Sequence, residues 1–324
     1  MKKILITGCL GQIGSELTMR LREIYGTNNV IATDIRRVEG NEVIESGPFE
    51  LLDVTDHKAM LELAKKYEVD TLIHLAALLS AVAEQKPILA WDLNMGGLVN
   101  ALEVARELNL KFFTPSSIGS FGPGTPAKNT PQDTLQRPTT MYGVTKVAGE
   151  LLCDYYFEKF GVDARGVRFP GLISYKTLPG GGTTDYAVEI YYEALKNKKY
   201  SSFIDKGTHM DMMYMPDAIE AIIKLMEADL SKLNHHNAFN ITAMSFDPEE
   251  IADSIKKYIP EFKMDYNVDP ARQKNADSWP DSLDCSAAEE EWDFSPKYNL
   301  DRMTKDMLIN LSEKLELPLP NTLK

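Results

Sequence analysis

Short apolar runs alternate with longer amphipathic stretches through the first half of the chain. Lys3–Thr7, Asn29–Thr33, Phe49–Leu52, Thr71–Leu75, Lys111–Pro115 and Ala164–Phe169 predict strands. Between them, Ile13–Tyr25, His57–Tyr67, Ile88–Leu108 and Met141–Phe160 carry helical patterns. This alternation predicts an α/β fold, a doubly wound parallel sheet with helices on both faces. In such a sheet a ligand lies beyond the carboxyl ends of the strands, where strand order reverses.

The rhythm changes after Phe169. Pro170–Thr184 is rich in Pro, Gly and Thr, and Tyr186–Lys196, Pro216–Ala228, Pro248–Tyr258 and Leu300–Leu315 predict helices around a strand at Ala238–Thr242. The expected organisation is a nucleotide-binding unit over 1–170, with segments near 205–245 returning to it. A smaller substrate-binding lobe is expected from 171–204 and 246–324. No internal repeat or low-complexity tract is evident.

Composition narrows the function. The chain has 324 residues and a net charge of −13, which disfavours nucleic acid and anionic membrane as partners. No apolar stretch approaches the roughly 20 residues of a membrane span. The apolar run near Met1 is short and leads into a glycine loop, so it predicts a strand and not an export signal; the expected location is cytoplasmic. Cys9, Cys153 and Cys285 are far apart without CxxC spacing, and His57, His74, His209, His235 and His236 lack HExxH spacing. Reduced thiols and no metal site are expected.

Thr7-Gly8-Cys9-Leu10-Gly11-Gln12-Ile13-Gly14 joins the first strand to the first helix. Glycines there permit a tight turn and close backbone approach to a pyrophosphate, and the helix start offers free N–H groups. A dinucleotide on a Rossmann-type fold is the expected ligand. Asp34 ends the second strand, where a carboxylate accepts from ribose hydroxyls and repels a 2′-phosphate, favouring NAD over NADP. Arg36 and Arg37 follow and partly offset that repulsion. Asp53-Val54, beyond the third strand, is a candidate adenine contact or a plain strand end. Leu75-Ala76-Ala77 beyond the fourth strand offers small residues against which a cofactor can lie.

Met141-Tyr142-Gly143-Val144-Thr145-Lys146 opens a helix, so Tyr142 and Lys146 share one face. A free tyrosine has a pKa of about 10, and a neighbouring ammonium favours its phenolate. The pair suits removal of a proton from an alcohol while hydride leaves the same carbon. Ser116 and Ser117 precede it at a strand end, where a serine can donate to the substrate oxygen; a loop-start hydroxyl is the alternative.

Together these motifs resemble the extended short-chain dehydrogenase/reductase superfamily, in order and along nearly the whole chain. The resemblance implies Ser117, Tyr142 and Lys146 as the catalytic set, with Tyr142 and Lys146 also contacting the cofactor, Lys146 at the nicotinamide ribose. It further implies cofactor contacts at Asn94, which would support a water-linked proton relay, and at Pro170. Leu178-Pro179-Gly180-Gly181-Gly182-Thr183-Thr184-Asp185-Tyr186, Arg168-Phe169-Pro170-Gly171 and Met212-Met213-Tyr214-Met215 resemble the short-chain-type L-threonine 3-dehydrogenases. That narrower resemblance implies NAD-dependent oxidation of L-threonine to 2-amino-3-oxobutanoate, with substrate contacts at Ser80, Ser116, Ser117, Tyr142, Gly182, Thr183 and Thr184. Trp279 either covers the pocket or packs a loop. The superfamily also implies a homodimer paired through Ile88–Leu108 and Met141–Phe160. The alternatives are a nucleotide-sugar epimerase or dehydratase, and a non-catalytic NAD-binding sensor.

Overall fold

Buried strands of alternating apolar residues build the centre of the molecule. The computed structural model describes every residue except Pro179, Gly181 and Lys324. In chain order come β1 (Ile4–Thr7), α1 (Gln12–Tyr25), β2 (Val30–Asp34), α2 (Glu42–Glu45), β3 (Phe49–Leu51) and α3 (His57–Lys66). They are followed by β4 (Thr71–His74), α4 (Ser80–Gln85), α5 (Pro87–Leu108), β5 (Lys111–Phe113), β6 (Ser116–Ser117), α6 (Met141–Phe160) and β7 (Ala164–Arg165). Six of these strands form one parallel sheet in the order β3-β2-β1-β4-β5-β7. The fold is α/β and doubly wound, of Rossmann type, and strand order reverses between β1 and β4.

The period-2 pattern of the strands feeds both faces. Ile4 and Ile6 join Leu17 and Leu21 of α1 on one side. Leu5, Ile31, Leu72 and Phe112 join Met60 of α3, Leu98 and Leu102 of α5 and Cys153 of α6 on the other. Because both faces are covered, the strands read as continuous apolar runs.

The expected single strand Ala164–Phe169 is corrected to two. Ala164–Arg165 pairs with β5, whereas β8 (Val167–Phe169) pairs with β6 in another sheet. The break falls at Gly166, where a Cβ would stand 2.6 Å from Thr114 O and 2.8 Å from Asn237 Oδ1. The neighbouring chain passes too close for any side chain. The expected strand Lys111–Pro115 likewise stops at Phe113, and pairing resumes at Ser116.

The remaining elements are β9 (Gly171–Ile173), α7 (Tyr186–Asn197), β10 (Lys199–Ser202), β11 (Met210–Tyr214), α8 (Met215–Glu227), β12 (Phe239–Asn240), β13 (Met244–Phe246), α9 (Pro248–Lys256), β14 (Lys263–Tyr266), α10 (Pro270–Ala276), α11 (Ser286–Trp292) and α12 (Leu300–Lys314). β12-β8-β6 and β13-β11-β9 form two three-stranded sheets, and β10 pairs with β14. α8 packs onto the α1 side of the main sheet through Ala218, Ile222 and Leu225. A separate core gathers Ile173, Tyr186, Tyr191, Met212, Ile255 and Met307 from α7, α9, α12 and the β13-β11-β9 sheet.

Candidate active site

The glycine loop is packed most tightly at its first and last glycines. Gly8 has a φ of +71°, and a Cβ there would stand 2.8 Å from Ala76 N. A Cβ on Gly14 would overlap Gly8 O and stand 2.8 Å from Cys9 Cα. Gly11 is the N-cap of α1 and provides no side-chain cap, so the amides of Gln12, Ile13 and the rest of the first turn face outward for an anion. Asp34, at the end of β2, accepts from Leu10 N at 3.1 Å, which places its carboxylate beside the loop. Arg37 is drawn aside, its guanidinium 4.9 Å from the centre of the Phe49 ring.

Leu75, Ala76 and Ala77 leave β4 half-buried beside the loop. Val54 is buried against Gly97 of α5. Asp53 is exposed, and its carboxylate accepts from Thr55 N at 2.9 Å and Thr55 Oγ1 at 2.7 Å, closing a turn. A cradle without Cβ atoms, an uncapped helix start and a strand-end carboxylate together fit a dinucleotide.

At the start of α6, Thr140 caps the helix by accepting from Gly143 N at 3.1 Å. Tyr142 follows, and Lys146 lies one turn on with its Nζ 5.3 Å from the Tyr142 ring centre. The ammonium is held by Pro115 O at 2.7 Å, just before β6. Ser117 ends β6, and its Oγ accepts from Gly119 N at 3.1 Å. A Cβ on Gly119 would stand 3.4 Å from two ring carbons of Tyr142 and 3.5 Å from Ser117 Oγ. Ser117 and Tyr142 therefore converge on one glycine, with Lys146 beside the tyrosine ring.

Ser116 engages elsewhere. Its hydroxyl donates to Glu150, a buried carboxylate one turn beyond Lys146 on α6. Glu150 is matched by Arg168 through contacts of 3.1 and 2.9 Å and accepts from Gln136 Nε2 at 2.7 Å. Asn94 accepts from Leu78 N at 2.7 Å and reaches Thr145 Oγ1 at 3.4 Å, bracing the segment after β4 against α6. A cavity of about 40 Å³, room for about two waters, is lined by His74, Asn94, Ser116, Lys146 and Glu150. His74 shares a 2.9 Å hydrogen bond with Thr7 Oγ1, and Thr114 Oγ1 donates to His74 O at 3.2 Å. Burial, reinforced by the Lys146 charge, pushes the imidazole pKa down to about 3.

Sequence reasoning missed Glu150, Arg168 and the structural part of His74. The fourfold spacing of Lys146 and Glu150 was the available signal.

Beyond β8, Thr183 and Thr184 lie on the short turn before α7. Pro170 is buried between β8 and β9. Gly171 begins β9, and a Cβ there would overlap Met212 Sδ and stand 2.7 Å from Thr184 Cγ2. Thr183 is buried, and Gly182 N donates to Asp185 Oδ2 at 2.7 Å. Pro179 and Gly181 of the glycine-threonine loop lie outside the described residues. Ser80 opens α4, half-buried. Trp279 packs on Ile118, Phe121 and Leu283, covering the turn that follows Ser117.

The profile of the NAD dependent epimerase/dehydratase family matches residues 4–242. The chain belongs to this family. It is an enzyme of the extended short-chain dehydrogenase/reductase type, and its cofactor is NAD. A Staphylococcus aureus protein described as an uncharacterized epimerase/dehydratase is 65% identical over 97% of this chain and 98% of its own length. Among solved structures of the family, L-threonine dehydrogenase from Clostridium difficile is 71% identical, with a TM-score of 0.96 over 97% of this chain and 98% of that one. L-threonine 3-dehydrogenase from Trypanosoma brucei is 41% identical, with a TM-score of 0.95 over 98% and 99%. Among the described residues, no helix is long and apolar enough to cross a membrane.

Proposed function

We propose that this enzyme oxidises L-threonine at its 3-hydroxyl, giving 2-amino-3-oxobutanoate. The observation that carries the reading is the convergence of Ser117 and Tyr142 on Gly119, with Lys146 beside the Tyr142 ring. The likeness to the Clostridium difficile L-threonine dehydrogenase supports the choice of substrate. In this reading Tyr142 takes the proton of the substrate hydroxyl. The Lys146 ammonium favours the phenolate that accepts it. Ser117 donates to the same oxygen as it becomes a carbonyl. NAD, when bound, supplies the hydride acceptor.

The cofactor-holding residues are Gly8, Gly11, Gln12, Ile13 and Gly14 at the pyrophosphate, with Asp34 on the adenosine ribose. Asp53 and Val54 flank the adenine, Leu75, Ala76, Ala77 and Pro170 line its path, and Lys146 holds the nicotinamide ribose, with Asn94 behind it. Ser80, Gly182, Thr183 and Thr184 supply hydroxyls and amides for the amino-acid end of the substrate. Ser116, its hydroxyl given to Glu150, serves the substrate by fixing the strand that presents Ser117.

A homodimer belongs to the same proposal. Ile88, Leu89 and Trp91 on α5, with Leu151, Tyr155 and Phe160 on α6, leave large apolar side chains exposed. Pairing these two helices with their copies would cover them. Sedimentation at micromolar concentration tests this, with a monomer as the result that sinks it.

The substrate assignment is tested by following NADH absorbance with L-threonine and, since epimerisation or dehydration returns the hydride and releases no net NADH, by chromatography of UDP-hexoses incubated with the enzyme and NAD. NADH is expected with L-threonine alone. UDP-hexose conversion without threonine oxidation would replace the reading with a sugar epimerase, and NAD binding without any turnover would replace it with a sensor.

A further inference from the structure

The first turn of every α-helix leaves four N–H groups without intrahelical partners, and its positive end favours a nearby carboxylate. In α6, Thr140 accepts from Gly143 N, but the first turn contains no acidic residue. The fold supplies the missing anion from another element. Met141 N donates to Glu84 Oε1 at 2.6 Å, across 57 residues of sequence.

Glu84 lies near the end of α4, the short helix that begins with Ser80. The segment leading into that helix is fastened to the same stretch of α6. Asn94 accepts from Leu78 N at 2.7 Å and donates to Leu78 O at 3.2 Å. Its amide also reaches Thr145 Oγ1 at 3.4 Å, and Thr145 Oγ1 donates to Tyr142 O at 2.8 Å. Residues 78–84 are thus tied at one end to the peptide N–H before Tyr142 and at the other, through Asn94 and Thr145, to the carbonyl of Tyr142 itself.

We propose that Glu84 is a positioning residue, which locks the Ser80 helix to the start of the catalytic helix so that Ser80 and the Tyr142 phenol keep one fixed separation. The inference rests on the reading of Tyr142 as the base and of Ser80 as a substrate contact. Glu84 touches neither reactant. It acts through the Met141 amide. The glycine loop and Asp34, at the pyrophosphate and adenosine end, are held by bonds outside this lock, so the change in NAD affinity is expected to be small.

The test compares E84A with E84Q in the full-length enzyme. Glutamine keeps an oxygen that can accept from Met141 N, whereas alanine does not. E84A is expected to lower kcat about tenfold and raise the KM for L-threonine, with the Kd for NAD within about twofold. E84Q is expected to recover most of kcat. Amide hydrogen exchange over residues 139–146 provides a readout that needs no substrate: protection is expected to fall in E84A and to persist in E84Q. A wild-type enzyme inactive on L-threonine would sink the substrate reading, while exchange would still judge the lock. Unchanged exchange in E84A overturns the proposal. So does an equal fall in kcat, NAD affinity and Tm in both variants, which is the pattern of a purely structural residue.

Discussion

The Lys146 ammonium stands 5.3 Å from the centre of the Tyr142 ring while donating to Pro115 O at 2.7 Å. One lysine is thereby fixed to the strand that carries Ser117 and to the helix that carries Tyr142. Removing the phenol oxygen by Tyr142→Phe is expected to abolish nearly all NADH formation and leave the NAD Kd within about twofold. Lys146→Met is expected to lower turnover by about a hundredfold, since the group that ties the Tyr142 helix to the Ser117 strand is lost. Full turnover in either variant removes the proposed mechanism.

The proposed role of Asp34 in cofactor choice can be tested directly. Its carboxylate is anchored by Leu10 N, and Arg37 is committed to Phe49. Asp34→Asn keeps an acceptor for Leu10 and discards the charge that repels a 2′-phosphate. The ratio of NADP to NAD affinity is expected to rise by about tenfold or more, as read by titration of both cofactors. An unchanged ratio would show that the carboxylate does not discriminate.

Substitution within the glycine cradle probes packing and binding together. A methyl group on Gly14 overlaps Gly8 O, a backbone atom that cannot swing aside. Gly14→Ala is expected to cost about 1–3 kcal/mol of stability and most of the NAD affinity. Thermal unfolding with and without NAD measures both: the variant should melt earlier and gain little from added cofactor.

In the small lobe, Gly171→Ala would press on Thr184 and Met212. The thioether can rearrange, so the displaced group is the threonine. A several-fold rise in the KM for L-threonine is expected with the NAD Kd unaltered. Matching changes in both constants would mean that Thr184 is not a substrate-side group.

His74 gives a pH prediction. Burial and the neighbouring Lys146 charge lower its pKa from 6.5 to about 3 in the folded chain. The unfolded chain binds the proton first, so the stability associated with neutral His74 is complete above about pH 6.5 and lost as pH falls toward about 3. The ring proton resonances of His74 are expected not to titrate between pH 5 and 8. A midpoint near 6.5 would contradict the buried, neutral assignment.

Residues whose partners are local in sequence were legible from the sequence. The glycine loop, Asp34 at a strand end and the Tyr142–Lys146 spacing each follow from a strand or helix repeat, and the six-stranded sheet follows from their order. The break at Gly166 was hidden because the apolar alternation of Ala164–Phe169 runs straight through it; only the approach of Thr114 and Asn237 reveals it. Glu150 looks like any helix-surface acid until Arg168 arrives from another strand. Lys199–Ser202 reads Lys-Tyr-Ser-Ser, with one large aromatic among polar residues, and announces no strand, yet it finds a partner in Lys263–Tyr266. Long-range pairing of this kind leaves no period in the sequence.

Pro170 stands between two strands that belong to different sheets: β8 beside the Ser117 strand, and β9 beside β11 of the small lobe. Having no N–H, it cannot donate to either ladder at that position. For a protein engineer it is a natural splice point. Substitutions confined to the segment that begins at Gly171 would leave the pairing of β8 with Ser116 and Ser117 on one side, and with Phe239 and Asn240 on the other, in register.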